Sequence, residues 1–574
     1  AVAALRGPAL RALPTVERWE RELDALDATA RDDLLARADR ALRHEFDLLG
    51  SGPCRLGERI DWLRDFKSGR TWPREHITRI VIAYPDASDI KVPWELSRFQ
   101  HLPLLAAAHR LTGERRWLDE IGRQLDDWIA ANPVEHGANW ACTMDVAIRA
   151  ANWVAALALC AEAAAAEPWL RRAVGSLLLH GRFIRSHLEW GRVRGNHYLS
   201  DVVGLLPVAA LFSGSATGRA WAEWATGELE SEMEHQVRPD GVDHEMSLPY
   251  HRLVTELFVC GAQAAEALVP GRLTPAFGDR LARMLQFAAD TTRPDGLTPQ
   301  VGDADSGRFL PLGDYGRDEF RSHEHLFRQH GGPRPQPRGH VAYPDGGFYV
   351  MRHGDLFALV RCGDVGMGGL GGHAHNDQLS FELCWGGQPL VVDPGAYLYT
   401  ADPAARNAFR STAAHATLRI AGEEQNPLRE DDLFSVEDHT RAEARAFDAD
   451  GPRARFAGVH HGYERLDPPA THERELRFDG EARELAIVDT VRGGAGRLLE
   501  WSFPLAPDGE AAGGDGRATA RYASCRLVLE APGLRFEVVD GEVSPAYGVK
   551  QAAPVLRAAG AEDVTRIVLR VEPA

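Results

Sequence analysis

The sequence predicts an α+β multidomain chain, helical in its first half and antiparallel sheet in its second. Apolar residues recur at intervals of three and four up to about residue 330, and at intervals of two beyond it. The change falls in "RQHGGPRPQPRGHVAYPDGG" (328–347), whose Pro, Gly and Arg content reads as a linker. A chain of 574 residues also exceeds what one hydrophobic core usually serves. The reading is therefore residues 1–335 as a helical domain with the linker at its end, and 336–574 as a sheet domain.

In the first half, "WELSRFQHLPLLAAAHRLTG" (94–113), "RWLDEIGRQLDDWIAANP" (116–133), "TMDVAIRAANWVAALALCAEA" (143–163) and "PWLRRAVGSLLLHGRFIRSHL" (168–188) each carry a helical apolar stripe. "SDVVGLLPVAALF" (200–212), "GRAWAEWATGELESEMEHQV" (218–237) and "HRLVTELFVCGAQAAEAL" (251–268) continue the series, with helix-stopping residues between them. Short connections imply antiparallel hairpins, either as an array or closed into a toroid. No strict repeat points to a regular solenoid. In the second half, "GFYVMRH", "LFALVRCG", "QLSFELCW", "PLVVDPG", "ATLRIAG", "RELRFDG", "RELAIVDTV", "RLLEWSFPL", "CRLVLEA" and "LRFEVVD" alternate at two, as in a β-sandwich. Two packed domains leave a cleft in which a polymer can lie.

Composition narrows the functional classes. Hydrophobic content of 44% and charged content of 26% are those of a globular protein. Lys+Arg 65 against Asp+Glu 83 gives −18 with no basic run, which argues against nucleic acid as partner. A local Arg/His cleft can still act against that global field and hold an anion. The seven cysteines, at 54, 142, 160, 260, 362, 384 and 525, form no CxxC pair, so most of them read as buried fillers. No run of eighteen apolar residues suggests a membrane span. The chain opens "AVAALRGPALRALPTVERW", without an initiator Met or a signal-like apolar region, which leaves export open.

Chemistry-bearing residues collect in a few loops. "RVRGNHYLSD" (192–201) places Asn196 and His197 before an apolar helix, where Asn196 or Ser200 can equally serve as a cap. "RPDGVDHEMSLPYHRLVTELF" (238–258) offers His244, Glu245, Tyr250 and His251; a buried Tyr with a capping Glu is the structural alternative. "PQVGDADSGRF" (299–309) brings Asp303, Asp305 and Arg308, read as a loop braced by an Asp–Arg pair because no complete calcium loop follows. "GGLGGHAHNDQLSFEL" (368–383) spaces His373 and His375 to share one face of a strand. Asp393 ends the next apolar strand and His415 begins another. Two imidazoles and one carboxylate at neighbouring strand ends suit zinc, or less selectively manganese.

Taken in order, "GNHYLSD", "DGVDHEMSLPYH", "GDADSGR", "GGHAHNDQLSFEL", "DPGAYLY" and "FRSTAAHATL" resemble the heparinase II/III family of polysaccharide lyases, from about residue 60 to beyond 430. The resemblance implies an N-terminal α/α toroid, an incomplete barrel of helical hairpins, followed by a C-terminal antiparallel β-sandwich. It implies cleavage of uronic-acid polysaccharides (heparan sulfate, chondroitin, hyaluronan or alginate-like polymers) by β-elimination. By the same resemblance Asn196 and His197 bind the uronate carboxyl, and Tyr250 protonates the leaving oxygen and, in syn elimination, also takes the C5 proton. His373 serves as base on the opposite face. His375, Asp393 and His415 match the family's metal ligands, for one divalent ion that braces the loops presenting His373. A periplasmic or secreted bacterial setting also follows from the family, with the cytoplasm left open.

Further cleft candidates are Trp94, Arg98, Asn139, Trp140, Arg149, Glu245, His251, Arg406 and Arg410, since Trp stacks on sugar rings and Arg forks onto carboxylate or sulfate. Toroid packing is the alternative for Trp94 and Arg149. His251, His197 or an Arg is the cation expected to lower the Tyr250 pKa when the phenol acts as base. One departure is Ala416 in "HAT", where related sequences often read His-Asn-Thr. Rival readings are a glycoside hydrolase using Glu245 with Asp243 or Asp303, a non-catalytic polysaccharide-binding protein that would have lost Tyr250 or His373, and a C5 epimerase.

Overall fold

The computed structural model describes residues 5, 10, 14–310, 320–494 and 496–574. Its helical half runs α1 (Pro14–Asp24), α2 (Ala28–Leu42), α3 (Lys91–Ser97), α4 (Leu102–Thr112), α5 (Arg115–Ala131), α6 (Thr143–Leu159) and α7 (Pro168–Ser186). It continues with α8 (Asn196–Leu211), α9 (Ala216–Gln236), α10 (Leu248–Leu268), α11 (Pro275–Thr291) and α12 (Glu324–His330). Every second helix packs on the next, α2 to α4, α6, α8, α10 and α12, while α5 packs on α7 and α9 on α11. This is a two-layered toroid of hairpins. Helix composition follows the layers. In α8 every residue but His197 is buried, whereas α5 carries its buried residues on one stripe.

The stretch 94–113, read as one helix, is two. Phe99 turns the chain at φ 56° between α3 and α4, and its ring buries against Trp62 and Trp153. The helix read from residue 200 begins four residues earlier, so Asn196 and His197 sit in its first turn. The one read from 251 starts at Leu248, capped by Ser247, whose hydroxyl accepts from the Tyr250 N–H.

β1 (Glu45–Phe46) and β2 (Cys54–Arg55) form a small ladder inside the toroid half. β3 (Val341–Tyr343), β4 (Phe348–His353), β5 (Leu356–Arg361), β6 (Phe381–Trp385) and β7 (Gln388–Val391) make an antiparallel meander in that order. A larger sheet holds β8 (Leu418–Ile420), β9 (Glu443–Asp450), β10 (Arg453–His460), β11 (Thr471–Asp479), β12 (Glu484–Arg492) and β13 (Leu499–Pro504). It is completed by β14 (Glu510–Gly513), β15 (Asp515–Arg521), β16 (Cys525–Ala546), β17 (Val549–Gly560) and β18 (Val564–Pro573). Its main path is β8-β13-β17-β16-β18-β12-β11-β10-β9. The segments "CRLVLEA" and "LRFEVVD" are two arms of the single strand β16. The first pairs β18 up to Glu530, and the second pairs β17 from Arg535, on either side of Pro532 and Gly533. One short helix, α13 (Pro403–Phe409), lies between β7 and β8.

The five-stranded sheet is apolar on both faces, and the two faces do different work. Tyr349, Met351, Ala358, Val360, Phe381 and Leu383 face the larger sheet and share its core with Phe456, Leu476, Ile487 and Phe503. The alternate residues Phe348, Val350, Phe357, Leu359 and Cys384 pack with Val242, Met246, Leu248, Phe287 and Val301 of the toroid half. A sheet clamped on both faces reads as near-continuous apolar strands, as β5 does with all six residues buried. This sheet joins the halves and fixes the loops on their border.

Phe357, fully buried on the toroid-facing side, is the test of that joint. Phe357→Ala is expected to cost about 3–5 kcal/mol, read as a lowered denaturation midpoint.

Candidate active site

The border between the halves is organised around Asp303, a fully buried carboxylate on the 299–309 loop. Both terminal guanidinium nitrogens of Arg406 pair with it. His373 Nδ1 lies 2.9 Å from its Oδ2, and His375 Nε2 lies 3.0 Å from its Oδ1. Burial pushes this carboxyl up, but the Arg406 charge and the two imidazole contacts outweigh it and hold the pKa well below the usual range. His373 and His375 are not on a strand, as their spacing suggested. They occupy the loop before β6, and they converge because each takes one oxygen of the same carboxylate. The loops are also stitched through the backbone, with Asp303 N donating to His373 O at 3.0 Å. Gly302 (φ +78°) makes this approach possible, because a Cβ there would lie 2.9 Å from His373 O.

Tyr250 and His373, from opposite halves, stack face to face with ring centroids 3.8 Å apart and planes 16° apart. The Tyr250 hydroxyl lies 3.2 Å from that of Tyr399. Burial, with the charges of Asp305 and Asp303, raises the Tyr250 pKa well above the usual phenol value, so the group is a protonated acid at rest. Tyr399 is held beneath Arg406, whose guanidinium lies 4.8 Å from the ring centroid, and beside Lys91, which pairs with Asp305 at 2.9 Å.

Asn196 opens α8 and is fixed by Glu245. Its backbone N–H donates to Glu245 Oε1 at 2.6 Å and its Nδ2 to Oε2 at 2.9 Å, while its own Oδ1 has no hydrogen-bond partner. Gly195 is required before it, since a Cβ there would lie 2.3 Å from Glu245 Oε1. Glu245 Oε2 is 3.5 Å from His373 Nε2, which sets the amide's partner beside the stacked pair. His197 stands at the open side, half exposed, with Nδ1 3.0 Å from Glu189 Oε2. Desolvation lowers its pKa, but the Glu189 charge and hydrogen bond prevail and raise it.

His375, Asp393 and His415 form a group whose ligand atoms all lie within 4.8 Å of one another and could hold a metal ion. The donor set fits a cation. His375 Nδ1 and His415 Nε2 face each other at 3.2 Å, and Asp393 Oδ2 is 3.6 Å from the latter. Their other ring nitrogens are engaged by Asp303 and by Ser411 O at 2.7 Å, the outer contacts that orient ligand imidazoles.

The remaining predicted contacts are placed inside the protein. Arg149 is fully buried, stacked on Trp128 and bonded to His180 and the Ser97 and Asn139 carbonyls. Asn139 donates to Trp62 O and Asn132, and Trp140 packs in the toroid core. Trp94 is half-buried, its indole bonded to Ala138 O. Arg98 pairs with Asp145 and Glu95, each at 2.6 Å. Arg410 holds the Leu433, Ser435 and Asp432 carbonyls. His251, near Met284 O and Thr255, has its pKa lowered to about 4 by burial, so it is neutral and cannot supply the cation expected beside Tyr250. The Asp–Arg pair read in 299–309 is made with Arg406, not within the loop, and Asp305 pairs with Lys91. The carboxylates offered for hydrolysis, Asp243, Glu245 and Asp303, are all fully buried. Sequence reasoning missed Tyr399, Glu189 and the hub role of Asp303. Only Tyr399 had a local signal, the aromatic pair of "DPGAYLY" after Asp393.

A toroid of helical hairpins joined to an antiparallel sandwich, with an amide, two imidazoles and a phenol gathered at the border, defines the class of the molecule. The chain belongs to the heparinase II/III family: residues 11–312 match the family model "Heparinase II/III N-terminus" and 335–571 match "Heparinase II/III-like, C-terminal". It is 24% identical over 402 residues to a heparin-sulfate lyase of Pedobacter heparinus, covering 67% of this chain but only 57% of that protein. The crystal structure of a heparinase III superposes with TM-score 0.72 at 17% identity, over 96% of this chain and 85% of the other. A Streptomyces coelicolor chondroitin AC lyase in complex with chondroitin sulphate superposes with TM-score 0.55 at 12% identity, over 97% and 82%.

Arg406→Met would leave Asp303 charged and buried without its principal partner. A loss of about 3–5 kcal/mol in chemical denaturation is expected, whereas Arg429→Met, which breaks an exposed pair with Asp431, should leave the midpoint unchanged.

Proposed function

We propose that this chain is a polysaccharide lyase that cleaves uronic-acid polysaccharides by β-elimination, leaving 4,5-unsaturated uronate ends. The observation that carries the reading is the stacked Tyr250–His373 pair, supplied by different halves, beside an amide held in place by Glu245. The C5 proton of a uronate is weakly acidic because the ring carboxylate opposes a second negative charge. Donors aimed at that carboxylate are therefore the largest requirement. Asn196 and His197 are assigned to that role, the latter with a pKa raised by Glu189 and the former by turning one Nδ2 hydrogen from Glu245 to the substrate carboxylate. A proton on His373 Nδ1 is donated to Asp303, which leaves Nε2 as the basic nitrogen that takes the C5 proton. Tyr250, protonated at rest, gives its proton to the leaving oxygen. When the C5 proton lies on the Tyr250 face, the same phenol must first be ionised, and Arg406 and Lys91, 4.8 and 5.4 Å from the Tyr399 ring centroid, are the cations assigned to favour that.

Glycosaminoglycans of the heparan or chondroitin type are the proposed substrates, supported by the similarity to the Pedobacter heparin-sulfate lyase and the Streptomyces chondroitin AC lyase. An acidic protein needs a local basic surface for such polymers. A groove of about 1020 Å³ at the joint of the halves carries Arg192, Arg194, Arg238 and Arg280 among Glu234, Asp364 and Asp438, with Trp190 exposed at its edge. Arg194 and Arg238 are paired with Glu232 and Asp364, so Arg192 and Arg280 are the charges it offers an anionic chain. The site residues are the proposed Asn196, His197, Tyr250 and His373, with residues 1–335 and 336–574 as the two domains that supply them. Zinc is the proposed ion for His375, Asp393 and His415. When bound it supplies positive charge that fixes the His375 loop, and through Asp303 the orientation of His373. No helix among the described residues is long and apolar enough to cross a membrane.

Elimination creates a conjugated C4–C5 double bond, so digestion of heparan sulfate or chondroitin should raise ultraviolet absorbance, while a hydrolase would release sugar without it. Tyr250→Phe should lower kcat by about a hundredfold or more with the fold intact; undiminished turnover would refute the assignment. Chelator-dialysed protein is expected to melt at lower temperature and lose activity, both restored by zinc; retention of both would refute the bracing role.

A further inference from the structure

Among the described residues, one cluster outside the His375 group has the chemistry of a metal site. Cys142, Glu189 and His197 converge at the start of α6 and α8, from three separate stretches of chain. Cys142 Sγ lies 3.8 Å from Glu189 Oε2 and 3.9 Å from His197 Nδ1, and the latter two atoms are 3.0 Å apart. Ligands about 2.3 Å (sulfur) and about 2.0–2.1 Å (nitrogen, oxygen) from a tetrahedral zinc stand roughly 3.3–3.6 Å apart. Each edge of the triangle is therefore within about half an ångström of what the ion requires.

We infer that Cys142, Glu189 and His197 form a second metal site, selective for a thiophilic divalent cation such as zinc. The ring binds through Nδ1, which leaves Nε2 free toward the cleft. The thiol loses its proton to solvent as the sulfur–metal bond forms. Cys142 is the residue preceding α6; burial and the Glu189 and Asp145 charges raise its pKa well above the usual thiol value, so the sulfur ionises only as it meets the cation. The ligand arm of Glu189 is already oriented, because its backbone N–H donates to Asp201 at 2.8 Å and its Oε2 accepts from Met144 N at 3.0 Å. Cys142 is buried, but Glu189 and His197 are partly exposed. The cluster therefore has an open side through which an ion enters and at which a fourth ligand can bind. It differs from the His375 group in having sulfur, and it does not depend on the lyase reading.

Cobalt(II) titration of the reduced, tag-free chain tests this, because a thiolate ligand gives a near-ultraviolet charge-transfer band that a His₂Asp site cannot. The expected result is a saturable thiolate band that disappears in Cys142→Ser and persists in Asp393→Asn. Glu189→Gln, which replaces the carboxylate ligand near the surface, should weaken the titration at that band at least about tenfold. Absence of the band in the parent chain, its full survival in Cys142→Ser, or an unchanged affinity in Glu189→Gln would each overturn the site.

Discussion

A single buried carboxylate governs the border between the halves. Asp303 comes from the toroid side, yet its partners Arg406, His373 and His375 all come from the sheet side. An isolated charge at that depth would cost several kcal/mol, and the paired guanidinium and imidazoles are what make it tolerable. The requirement runs both ways. Asp303 needs its cation, and the two histidines need its oxygens to hold their tautomers and directions. One oxygen orients the imidazole that stacks on Tyr250, and the other orients an imidazole of the metal-ligand group. The proposed base and the proposed metal set are thus mechanically linked through one side chain.

The five-stranded sheet keeps this border rigid. With one face packed into the sandwich core and the other against the toroid, it cannot slip in register without exposing one apolar set to the wrong partner. The loops leaving it therefore emerge at fixed positions. The same rigidity explains how a phenol from α10 and an imidazole from the loop before β6 stack closely without covalent connection. Burial has a chemical consequence as well: it keeps Tyr250 protonated, which suits a proton donor and sets a demanding condition for its use as a base.

The wall that carries Asn196 and His197 is built by different means. Its organising groups are carboxylates that accept from the toroid backbone and side chains, Glu245 for the amide and Glu189 for the imidazole. A glycine lets the first approach closely, and an adjacent cysteine gives the second a sulfur neighbour. This pairing of each donor with its own carboxylate is a local arrangement that bulk composition does not register.

Sequence alone determined the division into a helical and a sheet half and the amphipathic faces of most helices, and its motifs supplied the proposed phenol, amide and imidazoles. Those properties are local: apolar spacing reports which face is buried, and a short motif reports which groups arrive together. Tertiary structure alone decided the partners. Arg406 lies 103 positions from Asp303, and no local spacing joins them. Nor does any local spacing separate Arg149 and Asn139, closed in the toroid core, from residues that face the border. Strand boundaries were misread in both directions for a related reason. Polar outward faces, as in β9 and β14, blur the alternation, and the bend at Pro532–Gly533 makes one strand look like two. Which face a residue turns to is written along the chain; which distant charge meets it depends on how the halves pack.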